Sequence, residues 1–539
     1  MLGHARRSFV RFRLFAREMA FAYTIITRFH GGALTATALA LLALATALPE
    51  RASAKPPARP NVVVIVTDDQ PAHTLRREVM PSLLDRIARN ATSFTNAIVT
   101  TPLCCPSRAS MLTGQYGHNN GVLRNDYRQL NAKGNILPAW LQRVGYRTIH
   151  VGKYLNRYRK AKGPEPRPAR GWDVWQTLQE PNTYYDYFLS VDGRSHRYGI
   201  TDRDYVTDVL TRRTARLIRR YAPDDKPFYL QLDEWAPHYG RGRGTGSCEG
   251  GQDPVPAPSD GGLFANKPLP QPPSLNEEDV SDKPSFVQHQ GQVELDVVER
   301  NYRCTLASLK AVDRGIERVR RVLQRTGELS DTVIVFTSDN GYLYGEHRLR
   351  HKTNPYDEAL RVPLMISVPP GLRGGAARPA QVDEPVANID IAPTILELAR
   401  ATPCRPRGHC RVMDGRSLLP LLRGAPAGWP ADRALALEYT GDHRGYSSCS
   451  YRGLRVGDEI YVEHGSIPDF ETGLCEPGLE VEHYDLGDDP FQLENIAPAP
   501  PGSPAAARAG DLADRLATLR TCAGIPGRDP APIGRTYCE

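Results

Sequence analysis

The hydrophobic pattern of the chain contains two unbroken apolar runs that both lead into side chains bearing oxygen. These runs cover residues 61–69 and 332–337. The first ends in Asp68 and Asp69, and the second is soon followed by Asp339 and Asn340. Continuous β-branched runs are typical of strands buried on both faces in parallel sheets, and ligands collect at the carboxyl ends of such strands. We therefore expect the two polar strand ends to converge on one site.

Further apolar patterns predict additional elements of an α/β chain. Strands are expected at 146–152, 228–232, 434–439 and 459–462, and apolar residues at helical spacing predict helices over 293–326 and 387–399. By contrast, residues 241–292 are rich in proline, glycine, serine and acidic residues. This composition predicts a long surface excursion.

Between the two acidic runs, residues 103–114 combine a cysteine pair with signals for a short helix. Pro106 sits where a first helical residue would, residues 107–113 suit a helix, and Gly114 suits its end. Cys104 would then lie at the helix N-terminus, a favourable position for an anion, with Arg108 on the same face. A cysteine beside a guanidinium in this position favours chemistry on an anionic ester.

Residues 1–54 have the features of an export signal. They contain seven arginines and two glutamates, and an apolar run near residues 33–48 ends close to Ala52-Ser53-Ala54, a small-x-small cleavage pattern. The run is shorter than the roughly 20 residues that span a bilayer, so we expect no permanent membrane span in the mature form. Arg6 and Arg7 are similar to a twin-arginine motif, which would be lost if Met19 were the true start. The predicted location is secreted or cell-envelope.

Charge and cysteine content narrow the class of protein. The formal net charge is +7. Removing the export segment leaves about +2, which excludes a nucleic-acid-binding footprint.

The ten cysteines suit an oxidising compartment, and the eight outside the 104–105 pair are expected to form disulfides. Cys404–Cys410 and Cys522–Cys538 are the obvious local pairs, while the full connectivity stays open. None has the Cys-x-x-Cys spacing of a zinc site. The eight are Cys248, Cys304, Cys404, Cys410, Cys449, Cys475, Cys522 and Cys538.

The cysteine motif provides a family resemblance. Cys104-x-Pro106-Ser107-Arg108, followed by Leu-Thr-Gly at 112–114, resembles the signature of the type I sulfatases, the formylglycine-dependent members of the alkaline-phosphatase superfamily. The resemblance implies that a formylglycine-generating enzyme reads Pro106, Ser107 and Arg108 and oxidises Cys104 to Cα-formylglycine, the catalytic residue. The structural alternatives are a buried cysteine pair, a vicinal disulfide or a metal-binding tract. None of these alternatives needs the downstream Leu-Thr-Gly.

The resemblance also implies a divalent-cation site at the two strand ends. Its ligands would be Asp68, Asp69, Asp339, Asn340 and the converted Cys104. Carboxylate and amide oxygens suit Ca²⁺ or Mg²⁺ better than zinc or copper. The expected ion is Ca²⁺, with Mg²⁺ as the alternative.

Four further residues match sulfatase positions that act on the sulfate ester. By resemblance, Arg108, Lys153 and Lys352 supply positive charge, and His238 contacts the ester oxygen and protonates the departing alcohol. Many arylsulfatases carry a histidine two residues after the first of these lysines, whereas this chain has Leu155. The difference leaves the helper base for the formylglycine hydrate unassigned, and it resembles the N-acetylglucosamine-6-sulfatase branch.

The resemblance covers nearly all of the chain after residue 54 and implies its organisation. We expect an export signal at 1–54, a catalytic sulfatase domain at 55–400 and a smaller C-terminal domain at 401–539. The implied fold is α/β, with a large central, mostly parallel sheet flanked by helices. The smaller domain would be α+β and contain an antiparallel sheet.

The implied function is that of a sulfuric ester hydrolase acting on sulfated sugars through a formylglycine hydrate and a divalent cation. Expected partners are a sulfated small-molecule or glycan substrate and the formylglycine-generating enzyme during maturation, with no nucleic acid. Two alternatives stay open. One is a phosphonate or phosphate monoester hydrolase with the same site, and the other is a non-catalytic carbohydrate-binding protein in which Cys104 is unmodified.

Overall fold

The computed structural model describes residues 59–159, 167–240, 244, 246–405, 408–441, 449–469 and 475–539. The export signal expected at 1–54 lies outside these described residues. The strands in chain order are β1 Asn61–Thr67, β2 Ala91–Phe94, β3 Ala97–Ile98, β4 Arg147–Gly152, β5 Val174–Gln179, β6 Tyr187–Val191, β7 Arg194–Tyr198, β8 Phe228–Asp233, β9 Thr332–Ser338, β10 Leu343–Tyr344, β11 Arg350–His351, β12 Leu364–Ser367, β13 Gln381–Val382, β14 Val386–Ala387, β15 Ala434–Tyr439, β16 Tyr451–Val456, β17 Glu459–Pro468 and β18 Cys475–Asp485.

The helices of the same residues include one of 31 residues and several short ones. They are α1 Cys104–Thr113, α2 Gly117–Asn120, α3 Leu137–Arg143, α4 Val206–Tyr221, α5 Ser285–Gln288, α6 Leu295–Arg325, α7 Asp357–Leu360, α8 Ile391–Ala399, α9 Leu419–Leu422 and α10 Pro504–Leu519. Single 3₁₀ or π turns occur at Ala72–Thr74, Leu83–Ile87, Ala88–Asn90, Tyr127–Gln129, Asp202–Asp204, Glu328–Asp331, Pro370–Arg373 and Asn388–Asp390. None of the helices in the described ranges is long and apolar enough to cross a membrane.

The largest sheet formed by the described residues has ten strands in the order β13-β2-β12-β9-β1-β8-β4-β5-β6-β7. Its centre, from β9 to β5, is parallel throughout. Antiparallel pairings of β12 with β9 and of β6 with β5 extend it on both sides. The predicted parallel sheet is thus confirmed in its centre. The complete sheet is mixed because β12 on one side and β6 and β7 on the other run antiparallel to their neighbours.

The two faces of β1 explain why its sequence is apolar without a break. Val63 and Ile65 belong to one hydrophobic core, which also contains residues of α4 and α6. Val62, Val64 and Val66 belong to a second core with residues of α3 and α8. Successive side chains of a strand point to opposite faces, so a strand covered on both faces buries every residue.

A smaller antiparallel sheet, β15-β16-β17-β18, follows in the C-terminal part. Helix α10 packs on it through Leu512 and Leu516, which share a hydrophobic core with Leu437 and Leu454. The sheet confirms the expected antiparallel C-terminal unit. The boundary between residues 400 and 401 stays a prediction.

The proline-rich segment is only partly the expected surface excursion. Within its described residues the only regular element is the four-residue α5. Nevertheless Val255, Ala257 and Leu269 lie in the same core as α6, and Cys248 is joined to Cys304 of that helix by a disulfide. Extended, proline-rich backbone buries apolar side chains without any helical or alternating pattern, so no periodicity along the chain indicates this packing.

The eight cysteines outside the 104–105 pair form four disulfides, as predicted. The predicted pairs Cys404–Cys410 and Cys522–Cys538 are present. The other disulfides are Cys248–Cys304 and Cys449–Cys475. Cys104 and Cys105 are both free and buried, which rules out a vicinal disulfide in this structure.

Candidate active site

The two acidic strand ends meet. Strand β1 lies between β8 and β9, and Thr67 is paired with Ser338, so the residues that follow each strand emerge side by side. The Asp69 backbone N–H donates to Asp339 Oδ1 at 3.2 Å, and Asn340 Nδ2 donates to Asp69 Oδ1 at 2.7 Å. The expected convergence of Asp68, Asp69, Asp339 and Asn340 is therefore present in the structure.

Helix α1 carries Cys104 to this point. The helix begins at Cys104 rather than at Pro106, which corrects the expected start. Proline is tolerated in the first turn because the N–H groups there have no partner within the helix. Gly114 ends the helix with φ of 66°, the left-handed conformation that favours glycine.

The two cysteines of the pair have different surroundings. The Cys104 thiol donates to Asp68 Oδ1 at 3.4 Å and accepts from Lys352 Nζ at 3.2 Å. Cys105 belongs to an apolar core instead. Burial raises the pKa of the Cys104 thiol to about 12, with the Asp68 charge acting in the same direction. At neutral pH the unmodified thiol is protonated and is a weak nucleophile.

Three cations surround the carboxylates. Lys153 Nζ contacts Asp68, Lys352 Nζ contacts Asp69, and Arg108 Nε donates to Asp339 Oδ2 at 2.8 Å. Burial opposes ionisation of Asp68 and Asp69, but the two lysines hold the pKa of both carboxyls below the usual value. Both lysines and both carboxyls are therefore charged at neutral pH.

The oxygen atoms at the strand ends fit a hard divalent cation. Asp69 Oδ2 and Asn340 Oδ1 are buried and have no hydrogen-bond partner among the described residues. Buried polar atoms are nearly always paired, so two orphaned oxygens in one cluster point to an additional partner. Ligand atoms of Asp68, Asp69, Cys104 and His238 lie within 4.8 Å of one another. Oxygen-rich donors of this kind are those that Ca²⁺ and Mg²⁺ prefer.

His238 lies on the open side of this cluster. Its Nδ1 donates to the Tyr239 carbonyl at 2.6 Å, which leaves Nε2 facing Asp69 Oδ2 at 3.6 Å. The rings of Trp235 and Tyr239 lie 4.2 and 4.3 Å from the imidazole. Burial lowers the pKa of His238, and the Asp69 carboxylate opposes that shift.

The sequence reasoning missed a layer of residues behind Arg108. Asp233 Oδ1 accepts from Arg108 Nη1 at 2.8 Å, and Asp233 Oδ2 lies 2.9 Å from His150 Nε2. Asp233 directly ends a predicted strand, so the rule that identified Asp68 could have identified it. His150 had a weaker signal, an ionisable side chain in the buried part of a strand, between Ile149 and Val151.

The structure also explains why this chain differs from the arylsulfatase pattern at Leu155. Leu155 is buried in the apolar core that contains Tyr154 and Trp175. A nonpolar side chain at this position packs and supplies no base. The helper base for a formylglycine hydrate remains without an assigned residue.

The family comparison agrees with this geometry. A family model described as "Sulfatase" matches residues 60–401. The chain belongs to the sulfatase family. It is therefore an enzyme of that family, and the matched range contains every residue of the site described above.

Two relatives of this sulfatase are themselves named as sulfatases. Human N-acetylglucosamine-6-sulfatase is 31% identical over 515 residues, which cover 89% of this chain and 88% of the human protein. A putative extracellular sulfatase Sulf-1 homolog of Caenorhabditis elegans is 34% identical over 377 residues, or 67% of this chain. The sulfatase spans about half of that relative, 49% of its length.

Solved structures share the fold of this sulfatase. One, in complex with its substrate D-glucosamine-2-N,6-O-disulfate, has a TM-score of 0.69 at 24% identity and covers 85% of this chain and 97% of its own. The phosphonate monoester hydrolase of Agrobacterium radiobacter has a TM-score of 0.64 at 22% identity, covering 86% and 95%. At these identities the likeness concerns the fold alone.

Proposed function

We propose that this sulfatase hydrolyses sulfate monoesters of sulfated sugars, with Cys104 carrying the nucleophile after conversion to Cα-formylglycine. The observation that carries the proposal is the convergence of two acidic strand ends, three cations and His238 around Cys104. The names of the relatives support a sulfated sugar as the substrate class. Glucosamine 6-sulfate is our preferred example.

The basic residues have a direct role in this proposal. A sulfate monoester is an anion, and Lys153, Lys352 and Arg108 would bind its oxygens and hold the sulfur facing residue 104. In the structure each of these cations is paired with a carboxylate of the strand ends. A divalent cation bound by Asp68, Asp69, Asp339 and Asn340 would act as a Lewis acid on the sulfate oxygens, with Ca²⁺ expected and Mg²⁺ as the alternative.

His238 is placed to handle a proton. The Tyr239 carbonyl can only accept, so it fixes the proton on Nδ1 and turns Nε2 toward the site. A protonated Nε2 would deliver its proton to the departing alcohol oxygen. Burial lowers the pKa of His238, so the doubly protonated ring that can donate from Nε2 is the less populated form at neutral pH and is a stronger acid than an exposed imidazolium.

A formylglycine hydrate can release sulfate after it has attacked the ester, which the thiol of Cys104 cannot do. A hydrate of formylglycine offers one hydroxyl for attack on sulfur and a second whose collapse to the aldehyde releases sulfate. The buried thiol of Cys104 has a raised pKa and has no second hydroxyl. The proposal therefore requires a formylglycine-generating enzyme as a partner during maturation. It also includes export through residues 1–54, a catalytic domain at 55–400 and a smaller domain at 401–539.

The decisive experiment combines the measured mass of the peptide containing Cys104 with the rate of sulfate ester hydrolysis. The peptide containing Cys104 should be about 18 Da lighter than its sequence mass, since the CH2SH side chain becomes the aldehyde CHO, whose hydrate is the nucleophile. Hydrolysis of nitrophenyl sulfate should rise with the converted fraction, and Cys104→Ala should abolish it while Cys105→Ala retains it. A converted protein that hydrolyses no sulfate ester would refute the proposal. An unconverted but sugar-binding protein would support the non-catalytic alternative.

The phosphorus-ester alternative is retained because the fold is shared with phosphonate monoester hydrolases. Initial rates on nitrophenyl sulfate should be compared with rates on nitrophenyl phosphate and phosphonate esters, using one converted preparation. We expect the sulfate ester to have the highest kcat/KM. A strong preference for either phosphorus ester would reject our choice.

A further inference from the structure

A second basic pocket lies beside the candidate active site. This cavity, of 470 Å³, is lined by three arginines and is called the arginine pocket below. The arginines are Arg124, Arg128 and Arg157. None of them belongs to the residues proposed to hold the sulfate ester, so the pocket needs a separate explanation.

The pocket is continuous with the loops that carry the site. Leu103, which lines it, directly precedes Cys104. Asn125, another lining residue, accepts the Cys105 backbone N–H on Oδ1 at 3.0 Å. Arg157 follows Lys153 by four residues in the loop after β4. Because consecutive Cα atoms are about 3.8 Å apart, the part of the pocket wall that Leu103 forms is adjacent to residue 104.

The arginine pocket has a surplus of positive charge. Asp126 is the only carboxylate among its lining residues. It accepts from Arg128 Nε at 2.9 Å and lies 3.5 Å from Arg157 Nη1. Arg124 has no carboxylate within ion-pair distance in the described ranges, and its side chain donates only to the Gly441 carbonyl at 3.4 Å. Among the described residues that line the pocket, three guanidinium groups thus face one carboxylate; Glu180, outside the lining, accepts the Arg157 backbone N–H at 2.8 Å.

Exposed arginines are often only solubilising charges, but these three face one concavity. The side chains of Arg128 and Arg157 are 61% and 47% exposed, so their free N–H groups are accessible to a ligand. Guanidinium groups bind planar carboxylates and tetrahedral oxyanions through paired hydrogen bonds. The pocket is therefore matched to a second anion near the first.

We propose that the arginine pocket binds a second anionic group, a sulfate or a carboxylate, of the same saccharide whose sulfate ester lies at Cys104. This inference rests on the proposed function and narrows its substrate class. The preferred substrate becomes a saccharide with two neighbouring anionic groups rather than any sulfated sugar.

Equilibrium binding to the unconverted Cys104 protein tests the inference without turnover. The three ligands are N-acetylglucosamine 6-sulfate, glucosamine 2-N,6-O-disulfate, and a disaccharide of N-acetylglucosamine 6-sulfate with a uronic acid. We expect the second anion to tighten binding about tenfold in the wild-type protein, the size of a favourable accessible charge contact. The ligand that shows the gain identifies sulfate or carboxylate as the second group.

Variants locate the effect. Arg124→Gln should remove most of the gain and change binding of the singly charged sugar by less than about twofold, since Arg124 makes few other contacts. Arg77→Gln, which removes an exposed charge outside the pocket, is the matched control and should keep the gain. Arg157→Gln provides a second test if Arg124→Gln has a lowered thermal midpoint.

Three outcomes would overturn the inference. They are equal affinity of the wild-type protein for singly and doubly charged sugars, an equal loss for all ligands in both pocket variants, and a gain that both variants retain. Failure of the proposed function would be seen separately, as converted protein that hydrolyses no nitrophenyl sulfate. The binding preference does not depend on that rate.

Discussion

Carboxylates on two sides hold Arg108 in place, so residues outside the cysteine motif help to position its guanidinium group. Asp339 binds its Nε and Asp233 binds its Nη1, each at 2.8 Å. Asp233 is in turn fixed by His150, whose other ring nitrogen lies 2.6 Å from Thr177 Oγ1. A carboxylate accepts, so His150 Nε2 donates to Asp233 and Nδ1 accepts from the Thr177 hydroxyl.

We expect His150→Phe to loosen Arg108 without removing it. The ring still packs on Trp175, but Asp233 loses one of its donors. The kcat for nitrophenyl sulfate should fall about tenfold with a smaller change in KM, because the orientation of Arg108 matters most in the transition state. Thr177→Val should give an intermediate loss. Unchanged kinetic constants in a folded His150→Phe variant would show that Arg108 is positioned without this chain of contacts.

Because buried oxygens of Asp69 and Asn340 have no hydrogen-bond partner among the described residues, we expect a divalent cation to stabilise the protein. A cation that binds only the folded protein raises the thermal midpoint, because it adds a stabilising free energy that grows with the logarithm of its concentration above Kd. Ca²⁺ added after chelation should therefore raise the midpoint and restore activity. Asp69→Asn should lose both effects, whereas Asp85→Asn, at an acid outside the site, should keep them. A midpoint that does not respond to Ca²⁺ or Mg²⁺ would contradict a divalent site.

At the scale of elements, the sequence predicted the parts of the fold that have a regular pattern. Strands β1, β4, β8 and β9 were placed to within a few residues. Strands β1 and β9 are almost continuous apolar runs, whereas β4 and β8 include the polar residues His150 and Gln231. The start of α1 was placed too late because a proline in the first turn was read as the first residue. The segment 244–292 was the largest miss, since burial without periodicity leaves no pattern in the sequence.

This irregular segment supports the loop that carries Lys352. The Asn276 backbone N–H donates to the Gly345 carbonyl at 2.9 Å, and the His347 N–H donates to the Ser274 carbonyl at 2.7 Å. The disulfide Cys248–Cys304 fastens one end of the segment to α6. The segment therefore acts as a packed layer between the long helix and the site.

Loss of this disulfide should destabilise the protein more than loss of a short-range one. Cys248 and Cys304 are 56 residues apart, whereas Cys404 and Cys410 are 6 apart. Chain-entropy arguments give about 4 and about 2 kcal/mol for loops of these lengths. The double alanine variant of the first pair should thus show the larger fall in urea midpoint. An equal or smaller fall would mean that the segment holds its place without the disulfide.

At the scale of the whole molecule, the small sheet and the residue before it contact the segments that precede α1 and α8. The Glu438 backbone N–H donates to the Thr100 carbonyl at 2.8 Å, just before α1. Arg433 binds both oxygens of buried Asp390 at 2.7 Å. Sequence reasoning identified the small sheet but not these contacts, because pairing between distant polar residues has no local pattern. The residues of the site could be predicted from strand ends and motifs, whereas the contacts that support these residues could not.

Stability should decline toward alkaline pH through Glu346. Burial raises the pKa of this carboxyl from 4.5 to about 7, and the nearby Glu358, itself buried, also has a raised pKa. A carboxyl with a raised folded-state pKa contributes its full stability below 4.5 and loses it as pH rises through about 7. The free energy of unfolding should therefore fall between pH 5 and 8.

Urea midpoints measured across this range check the prediction. Glu346→Gln should flatten the decline by about 2 kcal/mol, because the amide cannot ionise. Glu278→Gln, at an exposed carboxylate of the same region, should leave the decline unchanged. A Glu346→Gln profile parallel to that of the wild type would assign the pH dependence to other groups.

The burial of Cys104 sets an order of events during biosynthesis. Its side chain is 1% exposed, and all ten residues of α1 are buried. Under the proposed function, an enzyme that oxidises Cys104 must reach it before β9, more than 200 residues later in the chain, pairs with β1 and closes the site. Modification and folding are then in competition, and a chain that folds first keeps its thiol.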